Sequence, residues 1–299
     1  MTLIQPDAGY PWLSGPAVEI GSWFSHLTHI EKEAFPSISA VHDLVSDITD
    51  TTIREGHKGV HRKRKGNEIR SLPQIDAVII SHNLSDHMHK ETLLQVSCEV
   101  PVFAVLEAAS TIRTWNYFSS VLDIPDYKLT YPSLIHTRTA PLPDWLSILR
   151  VSAQEYHPAL HYGIMIAFSK EFGTVEDQGG ECILYSPHGI QPCRIQPIIE
   201  SNPGLRILAL LHGLDEPTVL GIAILGVRNA LRLQRLTGAK YWLRTHNPKA
   251  QFCGIIGWFL RDMQRNLEDG LEQEYLETGR VYAIPHFIEV ENGGSIILI

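Results

Sequence analysis

Apolar residues recur along this chain in two rhythms. Short, largely apolar runs, the mark of buried strands, occur at 77–80, 100–106, 147–151, 162–168, 182–185, 206–211 and 240–244. Other segments place apolar residues at helical spacing. Over 39–49 these are Val41, Leu44, Val45 and Ile48, with Ser39 in position to cap the helix start. Helices are predicted also over 90–97, 107–121, 220–236 and 252–267. The one over 220–236 stops near Gly238, a residue suited to the left-handed position after a helix. Residues 17–20 and 295–299 read as further strands. Strand and helix alternate, which is the pattern of an α/β fold. No short repeat and no long linker interrupts it, so residues 1–299 read as one domain.

Composition narrows the function without naming it. The chain has 299 residues, 44% hydrophobic and 19% charged, within the range of ordinary globular proteins. A net charge of −8 argues against wholesale nucleic-acid binding. The basic stretch 57–66 lacks interleaved aromatics and reads as a solvated loop, with capture of an anionic substrate as the alternative. No apolar run reaches the length of a membrane span, and residues 1–12 lack the apolar core of a signal peptide. Cys98, Cys182, Cys193 and Cys253 form no CxxC pair, so reduced cysteines and a cytoplasmic location are expected. Fifteen histidines are the one compositional hint of metal chemistry.

Five of those histidines follow apolar runs: His82, His157, His188, His212 and His246. Ligand sites in α/β folds gather at strand ends, because the sheet fixes where the loops begin. The densest case is the stretch Ile80-Ser81-His82-Asn83-Leu84-Ser85-Asp86-His87-Met88-His89. Adjacent Asp86 and His87 would point apart on a helix, so a loop wrapped around a common centre is expected.

This stretch resembles the signature of the metallo-β-lactamase superfamily, His-x-His-x-Asp-His after a hydrophobic strand. Its Ser-His-Asn and Asp-His context is most similar to the branch of ascorbate-phosphate lactonases and N-acylphosphatidylethanolamine phospholipases D. The resemblance implies a four-layer αββα sandwich with the ligands gathered at one edge between two sheets. Leu84 departs from it, standing where the family has its second His. Leu184-Tyr185-Ser186-Pro187-His188-Gly189 resembles the family's Tyr-Ser-Gly-Asp-Thr segment and puts His188 where a metal-bridging Asp belongs. Arg244-Thr245-His246 resembles the segment of the final His ligand. For the intermediate His, His157 is taken, with Glu155 and His161 as alternatives.

Leu84 cannot ligate, and a neutral imidazole at 188 offers one lone pair to one metal. The resemblance therefore implies one divalent ion held by Asp86, His87, His188 and His246, with zinc first and iron or manganese as alternatives. His82 and His157 would stand beside the ion as acid–base groups. Four protein ligands close a tetrahedral zinc, so catalysis there needs expanded coordination or a ligand that stands back. The implied function is metal-dependent hydrolysis of a small-molecule ester, lactone or phosphodiester, with a metal-activated water as nucleophile. A mononuclear metal lyase, isomerase or oxygenase, and a non-catalytic member of the fold, are the alternatives. Neither the substrate nor the oligomeric state is legible in the sequence.

Overall fold

The computed structural model describes residues 19–22, 25–29, 34–56, 75–84, 86–131, 134, 137, 140–152, 160–169, 179–219, 222–245, 250–254, 260–261 and 263–299. The first part of the chain supplies β1 (Glu19–Ser22), β2 (Ser25–His29), α1 (Ile38–Gly56), β3 (Val78–Ile80), α2 (Lys90–Leu93), β4 (Val102–Ala104), α3 (Leu106–Arg113) and β5 (Val121–Asp123). Then follow β6 (Leu146–Val151), β7 (Gly163–Ser169), β8 (Gly180–Ser186), α4 (Pro192–Ser201), β9 (Leu205–His212), β10 (Thr218–Val219) and β11 (Ile222–Ala223). The chain continues through α5 (Val227–Thr237), β12 (Tyr241–Arg244), β13 (Ala250–Gly254), β14 (Leu260–Arg261), α6 (Leu267–Thr278) and β15 (Phe287–Ile288).

The largest sheet has the order β15-β12-β9-β8-β7-β6. Strands β6, β7 and β8 pair antiparallel, while β8, β9, β12 and β15 run parallel. Its strands are apolar on both faces, as a sheet covered on both sides requires. Alternate residues sort into two cores. Ile148, Ile164, Ile166, Ile183 and Tyr241 join one, which they share with Ile80, Val102, Phe103 and Ala104 of the parallel sheet β3-β4-β5. Leu149, Met165, Ala167, Cys182, Leu184 and Trp242 join the other, against Ile195 and Ile198 of α4 and Val227, Ala230 and Leu231 of α5. Full burial of each such branched side chain contributes about 1.5–3 kcal/mol. Beyond the small sheet, Ile38 and Val41 of α1 pack with Val96 and Val78. Helix, sheet, sheet and helix thus form the expected αββα sandwich. Two smaller sheets, β1-β2-β13 and β11-β10-β14, complete the described residues.

Several predicted boundaries move, each for a local reason. Helix α1 is capped by Ser37, whose Oγ accepts from the Ala40 amide at 3.2 Å, two residues ahead of Ser39. The helix expected over 107–121 ends at Arg113. Asn116 then takes a left-handed φ of 50°, and the chain returns as β5. The helix expected over 220–236 stops as predicted, with Gly238 at φ 61°, but starts later, because Ile222 and Ala223 form β11 and pair with β10. Gly226 opens α5, and there a Cβ would come within 2.3 Å of the Leu214 carbonyl oxygen. Among the described residues of 252–266 none is helical. Residues 250–254 instead extend the β1-β2 sheet, and α6 begins at Leu267 with Asn266 and Asp269 forming a capping box. The strand expected over 295–299 is irregular, and β15 takes the edge position beside β12.

Candidate metal centre

Strand β3 and the parallel strands of the large sheet end at one edge of the sandwich, and the chemistry gathers there. Ser81 and His82 directly follow β3, and Leu160, His161 and Tyr162 lead into β7. Ser186 ends β8, and Pro187-His188-Gly189 follows it. Main-chain bonds from His87 and Met88 to the Leu84 carbonyl, 2.9 and 2.8 Å, fold the 84–88 segment into a tight turn. That turn brings His87 back over His82, with ring centroids 4.8 Å apart.

Three buried imidazoles converge at this edge. One ring nitrogen from each of His82, His87 and His188 can be chosen so that all lie within 4.8 Å of one another. Nε2 of His87 is 3.2 Å from Nε2 of His188, and Asp86 Oδ2 is 3.6 Å from the same His87 atom. The other nitrogen of His188, Nδ1, lies 3.2 Å from His82 Nε2. The His82 ring is held on every side. Its Nδ1 is 2.9 Å from Ser81 Oγ and its Nε2 is 3.0 Å from the Leu160 carbonyl. Tyr162 stacks on its face at 4.3 Å and 17°, and donates its hydroxyl proton to the Ser81 carbonyl. Burial holds the Tyr162 phenol well above the usual tyrosine range, so it stays a neutral donor.

The donor set fits a divalent transition ion. Nitrogens at about 2.0–2.1 Å from a tetrahedral zinc stand about 3.3 Å apart, and the His87–His188 spacing is 3.2 Å. The ring nitrogens that lie within 4.8 Å of one another belong to His82, His87 and His188, and imidazole suits zinc, iron, copper and nickel; the Asp86 carboxylate stands beside His87. His82 differs from its neighbours. Oxygens of Ser81 and Leu160 occupy the directions of both its nitrogens, which suits a ring that supports the site better than one that ligates.

The loop carrying His188 is pinned by its backbone. The His188 carbonyl accepts from the Leu225 amide at 3.0 Å and lies 2.9 Å from His161 Nδ1. Gly189 has φ +85°, and a Cβ there would come within 2.4 Å of Leu225 Cβ. Only glycine meets both conditions.

No family model matches the chain, and no curated protein matches it. Among solved structures it is similar to an isothiocyanate hydrolase from Delia radicum gut bacteria, at 13% identity over 79% of this chain and 85% of that one, TM-score 0.46. It is similar to YhfI, a metallo-β-lactamase fold protein from Bacillus subtilis, at 17% identity over 74% and 77%, TM-score 0.42. It is also similar to Igni18, a metallo hydrolase from the archaeon Ignicoccus hospitalis, at 12% identity over 76% and 80%, TM-score 0.45. The likeness is one of fold.

Of the residues singled out in the sequence, Asp86, His87, His188 and His82 come together at the edge of this αββα sandwich. His157 and His246 lie outside the described residues, as does Glu155. His161, the alternative for the intermediate ligand, is buried and turns Nδ1 to the His188 carbonyl. Leu84 is 41% exposed beside the turn, consistent with a side chain that ligates nothing. His212, fifth of the strand-end histidines, is buried with Nε2 2.9 Å from Asn229 Oδ1. Tyr162 and Asn229 escape sequence reading. Asn229 did leave a signal, being a polar residue between Val227 and Ala230-Leu231 on the apolar face of a helix. Tyr162 left none, because an aromatic at a strand start reads as core.

Proposed function

We propose that this protein is a metal-dependent hydrolase of a small ester, lactone or phosphodiester, working with one divalent ion at the Asp86, His87 and His188 cluster. The observation that carries the reading is the buried 3.2 Å approach of His87 Nε2 and His188 Nε2, with Asp86 Oδ2 3.6 Å from the former. Asp86 supplies negative charge to a dication that neutral imidazoles alone meet poorly. His246, on the sequence resemblance, is the fourth ligand. A divalent ion, when bound, acidifies a water enough to supply a nucleophile at neutral pH.

The protein's own residues do the rest. His82 Nε2 faces the Leu160 carbonyl, an acceptor, at 3.0 Å, so the proton of His82 sits on Nε2 and its Nδ1 accepts from Ser81 Oγ. His188 Nδ1 lies 3.2 Å from the same Nε2. Stacked Tyr162 keeps the His82 ring in that plane. His82 thereby supports the His188 ring from behind, as outer partners of ligating histidines commonly do, and it is placed to exchange a proton with the site. His157, expected beside the ion, is the second acid–base candidate. Among the described residues no helix is long and apolar enough to cross a membrane, and the reading requires none.

The test is elemental analysis of protein purified without a metal-affinity tag, followed by a hydrolysis screen over esters, lactones and phosphodiesters. Near one equivalent of a transition metal and an activity lost to chelator and restored by metal are expected. Metal-free protein with full activity would end the proposal.

A further inference from the structure

Outside the ligand cluster, a second buried polar assembly ties three loops together at the same edge of the sheet. Asn229 lies in the first turns of α5 and is 8% exposed. Its Nδ2 donates to the Ile190 carbonyl at 2.9 Å, two residues after His188. That commits its Oδ1 as an acceptor, and His212 Nε2 donates to it at 2.9 Å. Nδ1 of His212 lies 2.7 Å from the Gly213 carbonyl. The His212 carbonyl in turn accepts from Trp242 Nε1 and the Thr245 amide, both at 3.3 Å, on and just after β12. The loop after β8 and the end of β9 thus meet at one amide side chain, and His212 carries the link on to β12.

We propose that Asn229, oriented by His212, is a positioning residue that sets the aim of His188. The inference rests on His188 being a metal ligand. Carbonyl oxygens on both sides of Gly189 are held: that of His188 by the Leu225 amide and His161, that of Ile190 by Asn229. Gly189 lies between them with φ +85° and is pressed against Leu225. With both flanking carbonyls fixed, the peptide planes at 188–190 have little freedom, and the direction of the His188 Cα–Cβ bond follows. The Asn229 amide is the one of these holds that reaches Ile190 from a helix side chain. Ligand sites tolerate only about 0.5 Å of misplacement before affinity falls, so the hold acts on metal binding without touching the metal. Asn229 suits the task because it donates in one direction and accepts in the other at a fixed separation. Aspartate of the same shape cannot donate, and would turn a carboxylate oxygen toward the Ile190 carbonyl.

The experiment uses Co(II) as the probe, in the full chain, reading both affinity and the visible ligand-field spectrum. Asn229→Asp and Asn229→Ala are expected to weaken Co(II) binding by about 10–100-fold and to shift its absorption bands, with the far-ultraviolet circular dichroism of the metal-free protein unchanged. His212→Gln, which keeps a donor for Asn229 Oδ1, should stay close to wild type, whereas His212→Phe should resemble Asn229→Ala. A stability role alone would lower the melting temperature and leave the bands where they are. Wild-type bands and affinity in both Asn229 variants would overturn the inference. If those variants fail to fold, wild-type bands and affinity in His212→Phe would do the same. Wild-type protein that takes up no Co(II) would instead overturn the metal reading beneath it, so the two failures are distinct.

Discussion

His87 and His188 are 101 residues apart in sequence, and their Nε2 atoms lie 3.2 Å apart. One follows the β3 strand of the small sheet and the other follows β8 of the large one, so the approach exists only because the two sheets pack face to face. His82 stands behind both, with ring centroids 4.5 Å from His188 and 4.8 Å from His87. In the proposed metal site, ligation falls to His87 and His188 and support to His82.

That separation predicts an order among variants. Asp86→Ala, His87→Ala and His188→Ala are each expected to abolish stoichiometric metal retention. His82→Ala should keep the ion while weakening its binding by about 10–100-fold, as loss of an outer hydrogen-bond partner does. Competition with a chromophoric chelator measures all four. Retention in Asp86→Ala with loss in His82→Ala would reverse the assignment.

Metal stoichiometry follows from Leu84 and His188. Leu84 is exposed beside the turn, and a neutral His188 gives one lone pair to one ion. The double variant Leu84→His, His188→Asp should raise the metal content from about one to about two per chain under metal-limited purification. Circular dichroism must show the variant folded, and a content that stays near one would count against the lone-pair argument.

Gly189→Ala tests the loop. A Cβ at φ +85°, 2.4 Å from Leu225 Cβ, forces the backbone or its neighbour to move. A loss of about 1–3 kcal/mol is expected from strain of this kind, together with weaker metal binding. Gly238→Ala also places a residue at positive φ, but nothing lies within 4 Å of the added atom. It should cost less in urea denaturation and leave the metal untouched.

The outer layer has its own pH dependence. Glu277 of α6 accepts from Arg232 and Arg228 of α5, and these bonds, Arg232 first, hold its carboxyl below the usual glutamate range. A depressed carboxylate stabilises the fold at pH values above its unfolded value, and the contribution is lost as pH falls through the folded value. The site is exposed, so the effect is small. Glu277→Gln should lower the melting temperature at pH 7 by about 1–2 °C. The difference should shrink with added salt and vanish in acid. A difference that persists in acid would assign the helix contact to packing.

The apolar runs made the layered α/β architecture legible, because a strand covered on both faces must be apolar at successive positions, as 182–185 and 207–211 are. The stretch 80–89 likewise announced a loop that gathers its histidines at one centre, since Asp86 and His87 cannot share a helix face, and His82 and His87 do meet there. Local pattern failed where long-range pairing decided. Residues 250–254 carry residues that suit a helix, yet they lie along β2, because an open sheet edge gains more from main-chain bonds than a short helix does. Nor could the sequence divide the histidines by role. His82, His161, His188 and His212 all follow or adjoin apolar runs, and what distinguishes them is what each nitrogen meets. His188 faces two imidazoles, His161 a carbonyl, His212 an amide oxygen and a carbonyl, and His82 a hydroxyl, a carbonyl and a ring. Those partners come from segments up to 106 residues away. Periodicity along a chain records which side of an element is buried. Only the packing of one sheet on another decides which buried polar atoms meet.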